Sequence, residues 1–205
     1  MTRLISFAPA RRLLAGLALL LLLPLLAPRA EAQIITSKKE IGILQTAAGK
    51  ILVEFFDDTA PRHVAIFKKN IREGRYDGTT IHRIIPGMAL VAGDPFTADA
   101  DPANDGWGGF GPPIQNEFNE AHRNLRGSIV AVRKPDAVNP DKAWNGFQFY
   151  ILLSDQPGMD ASQHTVFAKV REGMDIVDRL AGSGQDAAGV PKDRLEFRKI
   201  YLESR

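Results

Sequence analysis

Hydrophobic and polar positions along this chain break into many short runs, which read as strands, and two stretches of helical period. Residues 41–46 and 50–56 are apolar, β-rich runs on either side of Ala47-Ala48-Gly49, predicting a hairpin. Thr59-Ala60-Pro61 predicts a helix start, with a hydroxyl N-cap and proline in the first turn. Val64, Phe67 and Ile71 recur at helical spacing, and Gly74 ends the helix. Strands are predicted at 80–85 and 88–92 around a Pro86-Gly87 turn. Residues 95–126 are long, turn-rich and poor in period. Further strands follow at 128–132, 147–153, 165–170 and 195–202, with a second helix at 172–181 closed by Gly182 and a flexible loop at 183–192. Many strands with two separated helices predict a mainly β fold, a closed antiparallel barrel capped at its ends.

One strand carries a residue at odds with its surroundings. Arg83 sits inside Ile81-His82-Arg83-Ile84-Ile85. A period of two places it on one face with Ile81 and Ile85. An arginine there needs a partner or an opening to water. A strand-edge arginine with its head in solvent and a functional arginine both fit. His82, on the opposite face, reads as structural, and His63 and His122 read as solvated.

The N-terminus changes the picture of compartment. Arg3, Arg11 and Arg12 precede an apolar run of about 14 residues, Leu13 to Leu26, broken by Pro24. Ala30-Glu31-Ala32 supplies the small residues a signal peptidase reads. The run is short of the roughly 20 residues needed to span a bilayer. Residues 1–32 are therefore expected to be a secretory signal peptide and 33–205 one domain, periplasmic or otherwise exported, with no stable membrane association. The signal would remove four arginines and one glutamate. From 26 basic and 24 acidic residues, 22 and 23 remain, a net charge of −1. No basic stripe with interleaved aromatics is present, so no nucleic-acid partner is expected. With no cysteine, disulfides, thiolate catalysts and thiolate metal sites are excluded.

The four histidines show no metal-ligand spacing, and neither metal nor cofactor is expected. The Gly106–Gly111 segment lacks the lysine and hydroxyl of a phosphate cradle. Asp57-Asp58, before the first helix, reads as local structure at the positive end of its dipole.

Three segments, in order, resemble the cyclophilins, the β-barrel peptidyl-prolyl isomerases. The first, His82-Arg83-Ile84-Ile85-Pro86-Gly87 with the closing Gly93-Asp94, is similar to Phe-His-Arg-Ile/Val-Ile-Pro-Gly-Phe-Met-x-Gln-Gly-Gly-Asp. The second, Asn145-Gly146-Phe147-Gln148-Phe149-Tyr150-Ile151, resembles Gly-Ser-Gln-Phe-Phe-Ile. The third is Met159-Asp160, His164-Thr165-Val166-Phe167 and Gly173-Met174-Asp175-Ile176-Val177. Together they cover about 41–202. The resemblance implies an eight-stranded barrel with two capping helices, and proline-containing polypeptides as substrates. The enzyme is expected to be a monomer.

The same resemblance implies the site. Arg83 matches the catalytic arginine. Met88 stands where a pocket phenylalanine is usual, Met159 at the pocket leucine, and His164 at its histidine or tyrosine. Tyr150 takes the second phenylalanine of Gln-Phe-Phe, and Gln148 its glutamine. Arg133 follows Val132 as arginine often follows Met-Ala in bacterial members. Ala89 replaces a methionine, Val91 a glutamine that supports the arginine, Ala92 a glycine, and Gly158 an aromatic. One extra residue falls between Asp160 and His164. These departures imply a reshaped, slower pocket and no tight cyclosporin binding, unless Gln148 or an ordered water takes over the duty of the residue replaced by Val91. A peptide-binding or chaperone module with little turnover is the alternative.

Overall fold

The computed structural model describes residues 39–109 and 111–205; the expected signal peptide lies outside them. Eight strands form one sheet: β1 (Glu40–Thr46), β2 (Gly49–Phe55), β3 (Ile81–Ile85), β4 (Ala89–Ala92), β5 (Ser128–Arg133), β6 (Trp144–Leu152), β7 (Val166–Glu172) and β8 (Phe197–Ser204). Three helices accompany them: α1 (Pro61–Arg72), α2 (Pro157–Ala161) and α3 (Met174–Ala181). Strand order is β3-β4-β6-β5-β7-β2-β1-β8, and the paired strands run antiparallel.

The expected barrel is not closed. β3 and β8 end the ladder, and the sheet is an open half-barrel. The two edges are tied only where β3 begins and β8 begins: by the isolated bridge Thr80–Glu196, by the Ile81 N–H on the Leu195 carbonyl at 2.9 Å, and by Phe197, whose N–H donates to Thr79 O and whose carbonyl accepts from Gly78, each at 2.8 Å. Further along, the edge of β3 is taken by the loop that precedes β8: the Ile84 N–H donates to Gly189 O at 2.7 Å. A strand edge covered by a loop cannot extend the ladder, and is also shielded from pairing with another chain.

The helix count differs too. Pro157 starts a short α2 that the sequence pattern did not predict, since five residues carry too little period. The second predicted helix begins at Met174, after Gly173 in the left-handed region (φ 95°). A Cβ there would stand 2.8 Å from the Lys50 carbonyl, so the position favours glycine.

The cap of α1 is a second correction. Ala60, not Thr59, occupies the N-cap, and its side chain offers no acceptor to the first helical N–H groups. Instead Glu117 supplies the acceptor from the long 95–126 segment. Its carboxylate accepts the N–H of Arg62 at 3.1 Å and of His63 at 3.0 Å. Helix starts leave such N–H groups unpaired, and an anion there also meets the positive end of the dipole. His63, expected in solvent, is fully buried, with its ring stacked on Trp144 at 5.0 Å.

Core side chains fall on the concave face. Leu90, Ala92, Ile129, Ala131, Phe149, Ile151, Phe167 and Ala168 belong to one cluster with Val64, Phe67 and Ile71 of α1. Phe67 touches Phe55, Tyr76, Phe149 and Phe167 with ring centroids 5.0 to 6.0 Å apart. The apolar stripe read from the sequence is thus the face that plugs the half-barrel.

His63 Nδ1 lies 2.7 Å from Glu117 Oε2. Burial pushes the His63 pKa down, more strongly than Glu117 raises it. Glu117 is itself held below its usual value: burial raises it, but bonds from His63 and Arg62 outweigh that. The pair is therefore neutral imidazole and carboxylate, with Nδ1–H donating. A depressed folded pKa means that unfolding takes up a proton. The stability His63 confers is complete above about pH 6.5 and is lost as pH falls through its folded value. Urea unfolding between pH 7.5 and 5.0 should show this fall, and His63→Gln should make it shallower.

Candidate active site

The outer face of the half-barrel holds the candidate site. Register across it is Arg83–Val91 between β3 and β4, Val91–Tyr150 between β4 and β6, Tyr150–Val130 between β6 and β5, and Val130–Val166 between β5 and β7. Directly paired residues point to the same face. Arg83, Val91 and Tyr150 are thus neighbours on one transverse row, with Arg83 and Tyr150 two strand spacings apart, roughly 10 Å.

That row corrects the face assigned to Ile81. Ile81 pairs with Ala92 and Arg83 with Val91, so one extra residue, His82, is inserted in β3. This β-bulge reverses the parity of the strand. Ile81 is 2% exposed and joins the core, whereas Arg83, two residues on, is exposed on the outer face with Ile85. His82 is half-buried in the bulge, its pKa lowered by burial, with Asp94 opposing and Arg83 adding to the shift.

Arg83, Val91, Val132, Gln148 and Tyr150 line one open hollow of about 600 Å³ with His82 and Ile85. Arg83 makes no hydrogen bond or ion pair among the described residues, so its donors are free toward this space. Burial raises the Tyr150 pKa, against the opposing charges of Arg83 and Arg133, so its hydroxyl stays protonated. Val91 is 5% exposed and offers no polar group to Arg83. Gln148 does not replace the missing support. Its Nε2 donates to the carbonyls of Gly106 at 3.0 Å and Gly108 at 2.7 Å.

The remaining expected residues form the apolar end. Ala89 and Met159 share a cluster with Val130, Leu152 and Val166, and Met88 and Tyr150 pack against it. Met88 itself sits in the turn before β4, its N–H donating to Ile85 O at 3.0 Å across Pro86-Gly87. Asp160 fastens α2, and Met159 with it, to the 95–126 segment by accepting from Asn124 N and Nδ2, each at 2.7 Å. His164 is half-buried beside this cluster, its N–H on Met159 O at 3.1 Å. Its pKa is lowered by burial and then by Arg133. Arg133 is placed differently from the rest. Its guanidinium donates to Asp136, to Lys134 O and to Ser162 O, and the residue lines a second hollow with Gly108 and Asn145.

Residues the sequence did not single out also line the hollow: Pro102, Asp105 and Gly106 from the long segment, and Ala188 and Val190 from the loop before β8. A larger hollow of about 830 Å³ beside α1 is ringed by Lys39, Glu40, Glu54, Asp57, Asp58, Lys68 and Lys169. A proline ring has nothing to gain from so many charges.

The family model described as "Cyclophilin type peptidyl-prolyl cis-trans isomerase/CLD" matches residues 42–201. The chain belongs to the cyclophilin-type isomerase family. A protein of Brucella abortus named "Probable peptidyl-prolyl cis-trans isomerase" is 34% identical over 167 residues, covering 79% of this chain and 82% of that one. "Peptidyl-prolyl cis-trans isomerase A" of Dickeya dadantii is 31% identical over 199 residues, 95% of this chain and 96% of that one. In fold, a cyclophilin-type isomerase of Cryptosporidium parvum superposes with a TM-score of 0.71 at 23% identity, covering 82% of this chain and 99% of that one. This cyclophilin is thus a peptidyl-prolyl cis-trans isomerase.

Gln148→Met removes the donor to two loop carbonyls without changing length much. The buried Gly108 carbonyl would keep only the long bond from Asn145 Nδ2 at 3.4 Å, a loss of about 1 kcal/mol. A shift of the urea midpoint at constant slope measures it.

Proposed function

We propose that this cyclophilin isomerises Xaa–Pro bonds of exported proteins by stabilising the twisted imide with Arg83. The observation carrying the reading is an arginine without a protein partner, beside an apolar cleft on the same sheet face. The barrier to rotation is roughly 18–20 kcal/mol and comes from amide resonance. As the bond twists, the proline nitrogen becomes pyramidal and basic. A guanidinium donor gains most at that point and little with the planar ground state, the condition for lowering the barrier. It is charged at every working pH. No bond is made or broken, so no nucleophile, metal or cofactor is needed.

Substrate placement follows from the two ends of the site. The proline ring takes the apolar end made by Met88, Ala89, Tyr150, Met159 and His164. The peptide backbone lies along Gln148, Val132 and the main chain of Arg133. A Cryptosporidium parvum relative has been crystallised in the presence of the dipeptide Ala-Pro, which supports proline-containing peptides as the ligand class. Export is supported by the charged, apolar and small-residue order of 1–32. The chain then works as a monomer after cleavage before Gln33.

Proline exchange in an Ala-Pro peptide, followed by NMR, tests the mechanism. Arg83→Ala should slow catalysis on the order of 100-fold or more while Met159 and Tyr150 resonances still shift on peptide addition. Undiminished exchange would remove Arg83 from the mechanism, and peptide binding with no exchange in the unaltered protein would leave a binding module. For export, the mass of protein recovered from the periplasm of a Gram-negative host should begin at Gln33. A full-length mass would refute cleavage.

A further inference from the structure

Arg83 has nothing polar to hold it, yet a transition-state donor has to be aimed in advance. Beside its stem lies the loop between α3 and β8, whose residues 185–189 line one hollow with Arg83. Gly189 is seated against β3 by the Ile84 N–H, 2.7 Å from its carbonyl. Its φ is +87°, and a Cβ built on it would lie 2.7 Å from Ile84 O, 3.3 Å from Arg83 Cγ and 3.5 Å from Arg83 Nε. A side chain at 189 would therefore meet the arginine where it leaves the strand, and the bare backbone of Gly189 leaves that space to it.

The loop has the stiffness for such a role. Asp186 Oδ1 accepts the N–H of Ala188 at 2.8 Å and of Val190 at 2.9 Å. The Asp186 N–H donates to Val190 O at 2.9 Å, and its carbonyl accepts from Gly189 at 3.1 Å. Gln185 and Pro191 form a bridge, and Lys192 N–H reaches Gly184 O at 3.1 Å. The expected flexible loop is thus a small stapled unit. Its outer flank, with Arg83, Ile85 and Pro86, bounds one shallow hollow, and its Ala188 and Val190 bound the catalytic one. Arg83, Ile85 and Ala188 line both.

We propose that the 183–192 loop aims Arg83, with Gly189 as the residue beside its stem and Asp186 as the staple, both positioning residues for the isomerase reaction. The proposal rests on the reading of Arg83 as transition-state donor. Adding a Cβ at 189 pushes the loop off Ile84 and presses on the arginine stem, while cutting the Asp186 staples lets the wall move. Either change leaves the proline end of the groove, on the far side of β4, intact.

The experiment compares Gly189→Ala, Asp186→Ala and Asp186→Asn, each with and without Arg83→Ala, in NMR exchange on an Ala-Pro peptide. Misplacing a catalytic group by about 1 Å costs up to about a hundredfold. Gly189→Ala and Asp186→Ala should accordingly lower kcat about ten- to a hundredfold, leave KM nearly unchanged, and shift or broaden the Arg83 Nε–H resonance. Asp186→Asn keeps the Oδ1 acceptor and should retain most activity. In the Arg83→Ala background the loop changes should have no further effect. Full kcat in both loop variants, or an equal loss with and without Arg83, overturns the positioning role while Arg83 stays catalytic. Full activity of Arg83→Ala alone overturns the catalytic reading beneath it. Should Gly189→Ala unfold, Asp186→Ala, on the exposed side of the loop, carries the decision.

Discussion

One inserted residue governs the geometry of the groove. Without His82 as an extra residue against β4, the period of two that buries Ile81 would bury Arg83 as well. A guanidinium forced into the aromatic core around Phe149 would be left uncompensated, one of the most costly placements a side chain can have. The bulge resolves the conflict within a five-residue strand. Ile81 and Ile84 plug the core, while Arg83 and Ile85 stand outside. On the proposed mechanism the outer row serves catalysis only because the arginine arrives there.

The remainder of the groove is made by two segments pinned to that face. α2 lays Met159 over Ala89, Val130 and Leu152, and Asp160 anchors it to Asn124 and Arg123. On the other side, the Gly106–Gly108 backbone is drawn in by Asp94, a fully buried carboxylate that accepts from Phe96 N and Gly108 N. Charge-assisted bonds of this kind offset the desolvation of the acid. A Cβ at Gly108 would fall 1.8 Å from Asp94 Oδ1, so only glycine admits the approach. Gln148 then takes the carbonyl of the same residue. The acid, the glycine and the amide form one chain of contacts from the end of β4 to the floor of the hollow.

Much of this was legible before any coordinates. Strand positions were readable because β-branched runs are bounded by Gly and Pro, and α1 because Val64, Phe67 and Ile71 keep a helical period. The family resemblance brought Arg83, Val91, Val132, Gln148 and Tyr150 to one hollow. What was not legible is non-local. A bulge is a mismatch between two strands and leaves no mark in either alone, so Arg83 was set on the face of Ile81. The cap of α1 comes from Glu117, 54 residues beyond His63, and no local pattern announces it. Closure failed for a similar reason: the alternation of β3 and β8 says nothing of a loop that occupies the edge between them. The family resemblance set Arg133 among the substrate-binding residues, and nothing local announces that Asp136 and the Ser162 carbonyl hold its guanidinium. The one available hint for the 183–192 loop was Asp186 followed by Gly189, a turn-forming spacing.

Val91 poses the sharpest question about rate. An arginine carries about 2 kcal/mol of rotamer entropy, and a hydrogen-bonding neighbour would restrict it by direction. A buried valine restricts it only by volume, so here the stem is confined by packing and the head is left to swing. Packing can still be sufficient, because a side chain trapped at its base sweeps a small arc at its tip. The arc is set by how firmly the confining backbone is held, and here that backbone is the Gly189 carbonyl on Ile84 together with the Asp186 turn. Softness at the proline end works the other way. Met88 has more freedom than a ring, so on the proposed reading the proline would be held less firmly than by an aromatic wall. On the proposed mechanism the rate depends on the overlap of two distributions, substrate and donor, and tightening either one alone gives only part of the possible gain.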